Sequence, residues 1–111
     1  MIFTFDIENQ ENYLSMFRLL VSKVMAEENY KFDEIEDTKV AVGEMALIAH
    51  AINKDRLKMD IKLKEKSMII TIYLDKYPED EAFEMNFDII NALSEAMLKQ
   101  DDRIEIIRTR P

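Results

Sequence analysis

The sequence predicts an α+β fold, a two-layer sandwich with three helices on one face of a sheet of about four strands, mostly antiparallel. Three observations predict it. Apolar residues recur with a period of two in four stretches and with helical spacing in three others, in the order β-α-α-β-β-α-β. Two of the strands are joined by a tight turn, which makes an antiparallel hairpin. And 111 residues, 48% of them apolar, suffice for one core and hence one domain, residues 1–111.

Each element has its own justification. Residues 2–7 place Phe3, Phe5 and Ile7 on one face of a short strand. From about Glu11 to Glu28 the stripe Tyr13, Phe17, Leu20, Val21 and Val24 follows helical spacing, with Arg18, Ser22 and Lys23 off it. The second helix is expected to open at Asp33, because Asp33 and Glu36 have the spacing of a capping box, with Phe32 before them. Ile35, Val42, Met45, Ala46, Ala49 and Ile52 carry its apolar face to Asn53-Lys54-Asp55. Leu57, Met59, Ile61 and Leu63 then alternate with Lys58, Asp60, Lys62 and Lys64, and a turn around Lys66-Ser67 leads into a second arm over 68–74. Residues 75–85, acidic and containing Pro78, read as a long loop. Asn86 is expected to cap a third helix with Ile89, Ile90, Leu93, Ala96 and Met97 inward, ending at Gln100-Asp101-Asp102. A last strand runs from Arg103 to Thr109 with Ile104 and Ile106 or Ile107 buried.

Composition narrows the function. With 23 acidic and 15 basic residues the net charge is −8, which repels phosphate backbones and anionic lipid. The expectation is no nucleic acid and no membrane, with a basic protein partner left open. The absence of cysteine excludes disulfides, thiolate metal sites and cysteine nucleophiles, and fits a reducing compartment. No basic leader with an apolar run opens the sequence, and no stretch approaches the roughly 18–20 apolar residues of a span, so a cytoplasmic protein is expected. Gly43 is the only glycine, so no Gly-x-Gly phosphate loop can be written, and no cofactor is expected.

Residues Tyr30 to Ala51, YKFDEIEDTKVAVGEMALIAHA, carry a resemblance. Ile35-Glu36-Asp37, Lys39, Ala41-Val42, Glu44, His50 and Ala51 match a helix motif, and Tyr13-Leu14 with Arg18-Leu19 looks like the helix before it. On these residues the chain resembles the anti-sigma-factor serine kinases of the GHKL (Bergerat-fold) group, the histidine-kinase-like ATPases. The resemblance implies a general base at Glu44 and a magnesium-ligating asparagine one turn later, where this chain has Ile48. Ile48 offers no oxygen to a cation that takes oxygen ligands. The family's Asp-x-Gly-x-Gly becomes Asp75-Lys76-Tyr77-Pro78-Glu79, which keeps the adenine-site carboxylate and loses both glycines. Its Gly-x-Gly before the third helix becomes Glu84-Met85-Asn86, placing a carboxylate where a triphosphate would lie. The lid between the two motifs is nearly gone.

The expectation is therefore a pseudokinase: a non-catalytic regulatory module with Glu44 as a relic base and Asp75 as a relic adenine-site carboxylate. By the resemblance, its partner would be a sigma factor or an antagonist-like regulator, and it would pair as a homodimer. One alternative is an active serine kinase or ATPase with a divergent pocket. The other is an unrelated α/β protein with a structural or assembly role. His50, the only histidine, has no companion for a metal site and reads as a packing or surface residue. The runs Glu34-Glu36-Asp37 and Glu79-Asp80-Glu81 lack calcium-loop spacing and read as solvated surface. Among the eight methionines, Met59, Met68 and Met97 fit the core, while Met16, Met25 and Met85 are less clearly buried.

Overall fold

Strand β1 (Ile2–Glu8) opens the chain and pairs with β2 (Arg56–Leu63), some fifty residues away, so the first strand is an edge that the two long helices must bridge back to. The computed structural model describes residues 1–111, the side chain of Asp80 excepted. Between those strands lie a 3-10 turn (Glu11–Tyr13), α1 (Ser15–Glu27) and α2 (Phe32–Ile52). After β2 come β3 (Ser67–Tyr73), α3 (Asp80–Ala92), β4 (Ala96–Gln100) and β5 (Arg103–Thr109). The strands make one five-stranded sheet in the order β1-β2-β3-β5-β4, and every neighbouring pair is antiparallel.

Alternation decides which face is covered. Leu57, Met59, Ile61, Met68, Ile70, Ile72, Ile104 and Ile106 point to one side, where they are buried with Phe17, Val21 and Met25 of α1, Val42, Met45 and Ile48 of α2, and Phe87 and Ile90 of α3. All three helices therefore lie on that face, as expected, and the opposite face stays open. Phe5 of β1 meets Phe17 edge-on with ring centroids 5.2 Å apart, which ties the edge strand to α1. Asn29, the one non-glycine residue at positive φ (+64°) among those described, ends α1. The Tyr30 N–H then returns to the Met25 carbonyl at 3.1 Å and the Asn29 N–H to that of Ala26 at 3.2 Å, the paired closure of a Schellman motif.

The structure corrects the C-terminal third. The third helix does not run from Asn86 to Gln100, and the sheet has five strands rather than about four. It starts at Asp80, shortening the expected 75–85 loop to five residues beyond Leu74, and it ends at Ala92. Ala96–Gln100 reads as helix because Ala, Met, Leu, Lys and Gln are strong helix formers. Tertiary pairing overrides that preference. The Ser94 hydroxyl donates to the Ile90 carbonyl at 2.7 Å, and the Glu95 carboxylate accepts the Thr109 N–H at 2.6 Å and its hydroxyl at 2.9 Å, so the chain turns back along β5. Asp101-Asp102 is the turn of that hairpin. Asn86 is inside α3 and caps nothing; the backbone departs from helical angles three residues earlier, at Phe83 (φ −126°, ψ 19°).

The second helix also starts earlier than the Asp33 cap predicts. Extended Lys31 precedes it, and the Glu34 carboxylate accepts the Lys31 N–H at 3.3 Å. Glu36 pairs instead with Lys39 at 3.0 Å.

Candidate functional site

A cleft of about 450 Å³ lies between the start of α1 and the outer face of α2. Four α2 residues, Val40, Gly43, Glu44 and Leu47, line it because positions 3 and 4 apart share a helix face. From α1 and the turn before it come Leu14, Ser15 and Arg18. The α2 stripe that faces inward, Thr38, Ala41, Val42, Met45, Ala46, Ile48 and Ala49, is wholly buried, so the cleft residues are the helix's solvent face.

Gly43 forms the floor. Its φ is not positive, so glycine's backbone freedom is not used there. What is used is the missing side chain: a Cβ at Gly43 would stand 3.2 Å from Cδ of Arg18. The arginine stem lies across α2 at this point, and the residue lines the cleft. Among the described residues Arg18 has no ion-pair partner.

Glu44, the expected relic base, is half-buried on the same floor and accepts a hydrogen bond from Asn86 Nδ2 at 2.8 Å. The position expected to have lost its metal ligand, Ile48, is 0% exposed and belongs to the core. Asp75 lies elsewhere. Its Oδ2 accepts the Lys54 N–H at 2.8 Å, and its own N–H donates to Asn53 Oδ1 at 2.8 Å. Buried Asn53 also donates to the carbonyls of Arg56 (3.1 Å) and Tyr73 (2.9 Å). Asn9 donates to the carbonyls of Asn53 (2.7 Å) and His50 (3.1 Å), while His50 Nδ1 bonds Asn9 Oδ1 at 2.5 Å. Asp75 and His50 thus belong to a polar knot that joins the end of α2 to β1, β2 and β3, and neither shares the Glu44 cleft. Beside the knot a smaller cleft of about 230 Å³ is lined by Ala51, Ile52, Tyr77 and Phe83.

A second polar centre stands on the open face. Asp60, only 8% exposed, accepts hydrogen bonds from Thr4 Oγ1 and from the Tyr73 hydroxyl, each 2.7 Å. Burial works against the charge, but those two bonds, with Lys58 and Lys62 nearby, outweigh it and hold the carboxyl below the ordinary aspartate value. Bonding to Asp60 and burial raise the Tyr73 hydroxyl in turn.

Sequence reading missed the Arg18–Gly43 contact, the Asn86–Glu44 bond and the Asp60 centre. Only the first left a signal: a lone glycine inside a helical pattern, with no turn to serve, marks a close packing contact. The acidic runs do not converge; among the described residues no group of three His, Cys, Asp or Glu side chains is placed to hold a metal ion. Met25 is fully buried, while Met16 and Met85 are exposed. No helix of the described residues is long and apolar enough to cross a membrane. No family model matches the chain, and no curated protein is similar to it in sequence.

Proposed function

We propose that this chain is a regulatory protein-binding module on a degenerate GHKL-type scaffold, resembling the anti-sigma-factor kinases but without their nucleotide chemistry. The observation that carries this reading is the bond between Asn86 and Glu44. The carboxylate at the general-base position is engaged by α3, and the segment aligned with the phosphate loop, Glu84-Met85-Asn86, is helical here. Two further observations support it. The side chain one turn beyond Glu44 is the sealed, oxygen-free Ile48. The cleft lined by Lys76 and Tyr77, the residues that follow Asp75, holds about 230 Å³ and is flanked by Phe83, below the roughly 300 Å³ at which small-molecule pockets begin. A cytoplasmic, homodimeric regulator of a sigma factor or its antagonist is the form this proposal takes.

Calorimetric titration with ATP and magnesium tests it. No heat and no thermal shift at millimolar nucleotide is the expected result. Saturable binding would sink the proposal in favour of an active kinase with a divergent pocket, and Glu44→Ala would then be the next variant.

A further inference from the structure

Charge is divided unequally between the two sides of the sheet. The open face carries Arg56, Lys58, Lys62 and Arg103 against Asp6, Glu8, Asp60 and Glu105, which cancel. The whole net charge of −8 therefore lies on the helix side and in the loops. On that side the outer stripe of α2 carries two exposed apolar residues beside Glu44. Val40 and Leu47 are each 48% exposed, and they stand two helical turns, about 10 Å, apart. Between them is Gly43, a residue that weakens a helix interior by about 1 kcal/mol relative to alanine and here admits the Arg18 stem.

We propose that the groove between α1 and α2 docks a cationic amphipathic helix of a partner protein. Val40 and Leu47 meet two successive turns of its apolar stripe. Its lysines and arginines face the acidic helix layer, including Glu11 and Glu44 on the groove's own walls. Arg18, admitted by Gly43, donates to oxygens of the docked helix. The inference rests on the reading of the chain as a protein-binding module and gives that reading a surface and a partner chemistry.

The test uses a fluorescein-labelled 18-residue helical peptide of leucine and lysine, with a leucine–glutamate counterpart, read by fluorescence anisotropy. The lysine peptide is expected to bind and the glutamate peptide not. Leu47→Asp adds negative charge yet is expected to weaken the lysine peptide at least tenfold, because it removes the apolar contact. Leu98→Asp, a like change at an exposed residue of the open face, is expected to leave affinity unchanged. Both residues are exposed, and thermal melts confirm that each variant is folded. Equal or tighter binding by Leu47→Asp would reduce the attraction to bulk charge and overturn the inference, as would no binding by the wild type. A concentration-dependent dimer in sedimentation that Leu47→Asp abolishes would assign the groove to a second copy and overturn it too. The nucleotide titration is read separately, so a silent peptide assay leaves the module reading standing and nucleotide binding removes it.

Discussion

The side chain of Arg18 lies across Gly43, its Cδ 3.2 Å from the point where a β-carbon would sit. The contact is with the movable middle of an exposed side chain, so an added methyl can push it aside without disturbing the core. Gly43→Ala is therefore expected to raise stability by about 0.5–1 kcal/mol, from the helix preference of alanine. Urea melts check the gain. Arg18→Ala is expected to change stability by less than about 0.5 kcal/mol, since the side chain makes no ion pair with the described residues.

Ile48→Asn places an amide at the position where the resemblance has a metal ligand. In a side chain that is 0% exposed, that amide is buried among apolar neighbours. The expected result is a loss of about 4 kcal/mol and no gain of ATP binding. A stable Ile48→Asn protein that takes up ATP with magnesium would overturn this account of the position.

The polar knot ranks its members. Asn53→Ala leaves two carbonyls and one N–H without partners and is expected to cost about 3 kcal/mol. Asp75→Ala removes a single bond at an exposed residue and is expected to cost about 1 kcal/mol. Chemical denaturation of the two variants gives the order; the reverse order would point to a role for Asp75 outside the knot.

Tyr73→Phe deletes one of the two hydroxyls bonded to Asp60 and is expected to cost about 1.5 kcal/mol at neutral pH. The carboxyl is held below its ordinary value, so its stabilisation is complete above the unfolded value near 4 and fades as pH falls through the lower folded value. The gap between wild type and variant is expected to narrow below about pH 4, as measured by melting across pH 2–7. A gap independent of pH would mean that the neutral ring contact carried it.

Tyr30 presents the opposite case. Its hydroxyl is buried and has no hydrogen-bond partner among the described residues, and burial raises its pKa. Tyr30→Phe is expected to leave stability unchanged or raise it by up to about 1 kcal/mol, because it removes an unsatisfied group and keeps the ring. A loss in the melts would reveal a partner for that hydroxyl.

The sequence spelled out those elements whose local preference and tertiary role agree. Leu57, Met59, Ile61 and Leu63 alternate because one face of β2 is packed and the other open, and all four are buried. The stripe Phe17, Val21, Val24 of α1 is legible for the same reason. Ala96–Gln100 is not, because its helix-forming residues are held as a strand by Glu95 and by pairing with β5, which comes later in the chain. Asp60 looked like a solvent-facing member of an alternating strand; only the register that brings Thr4 and Tyr73 beside it makes it a buried centre. The groove was half legible. Glu44 stood out in a motif and Gly43 as a solitary glycine, but that Arg18 fills the space above Gly43 depends on how two helices pack.

In the sheet order β1-β2-β3-β5-β4, the fifth of these strands along the chain is not at an edge but between β3 and β4. During synthesis β3 therefore leaves the ribosome with one side unpaired, and it stays so until residues 103–109 emerge. The waiting segment, Ser67–Tyr73, contains no charge, no proline and no glycine, the composition that favours self-stacking of exposed strands. A premature stop or a stall anywhere between α3 and β5 would leave that segment uncovered on a nascent chain. Such fragments are destined for chaperones, proteolysis or aggregates rather than for a partly working domain.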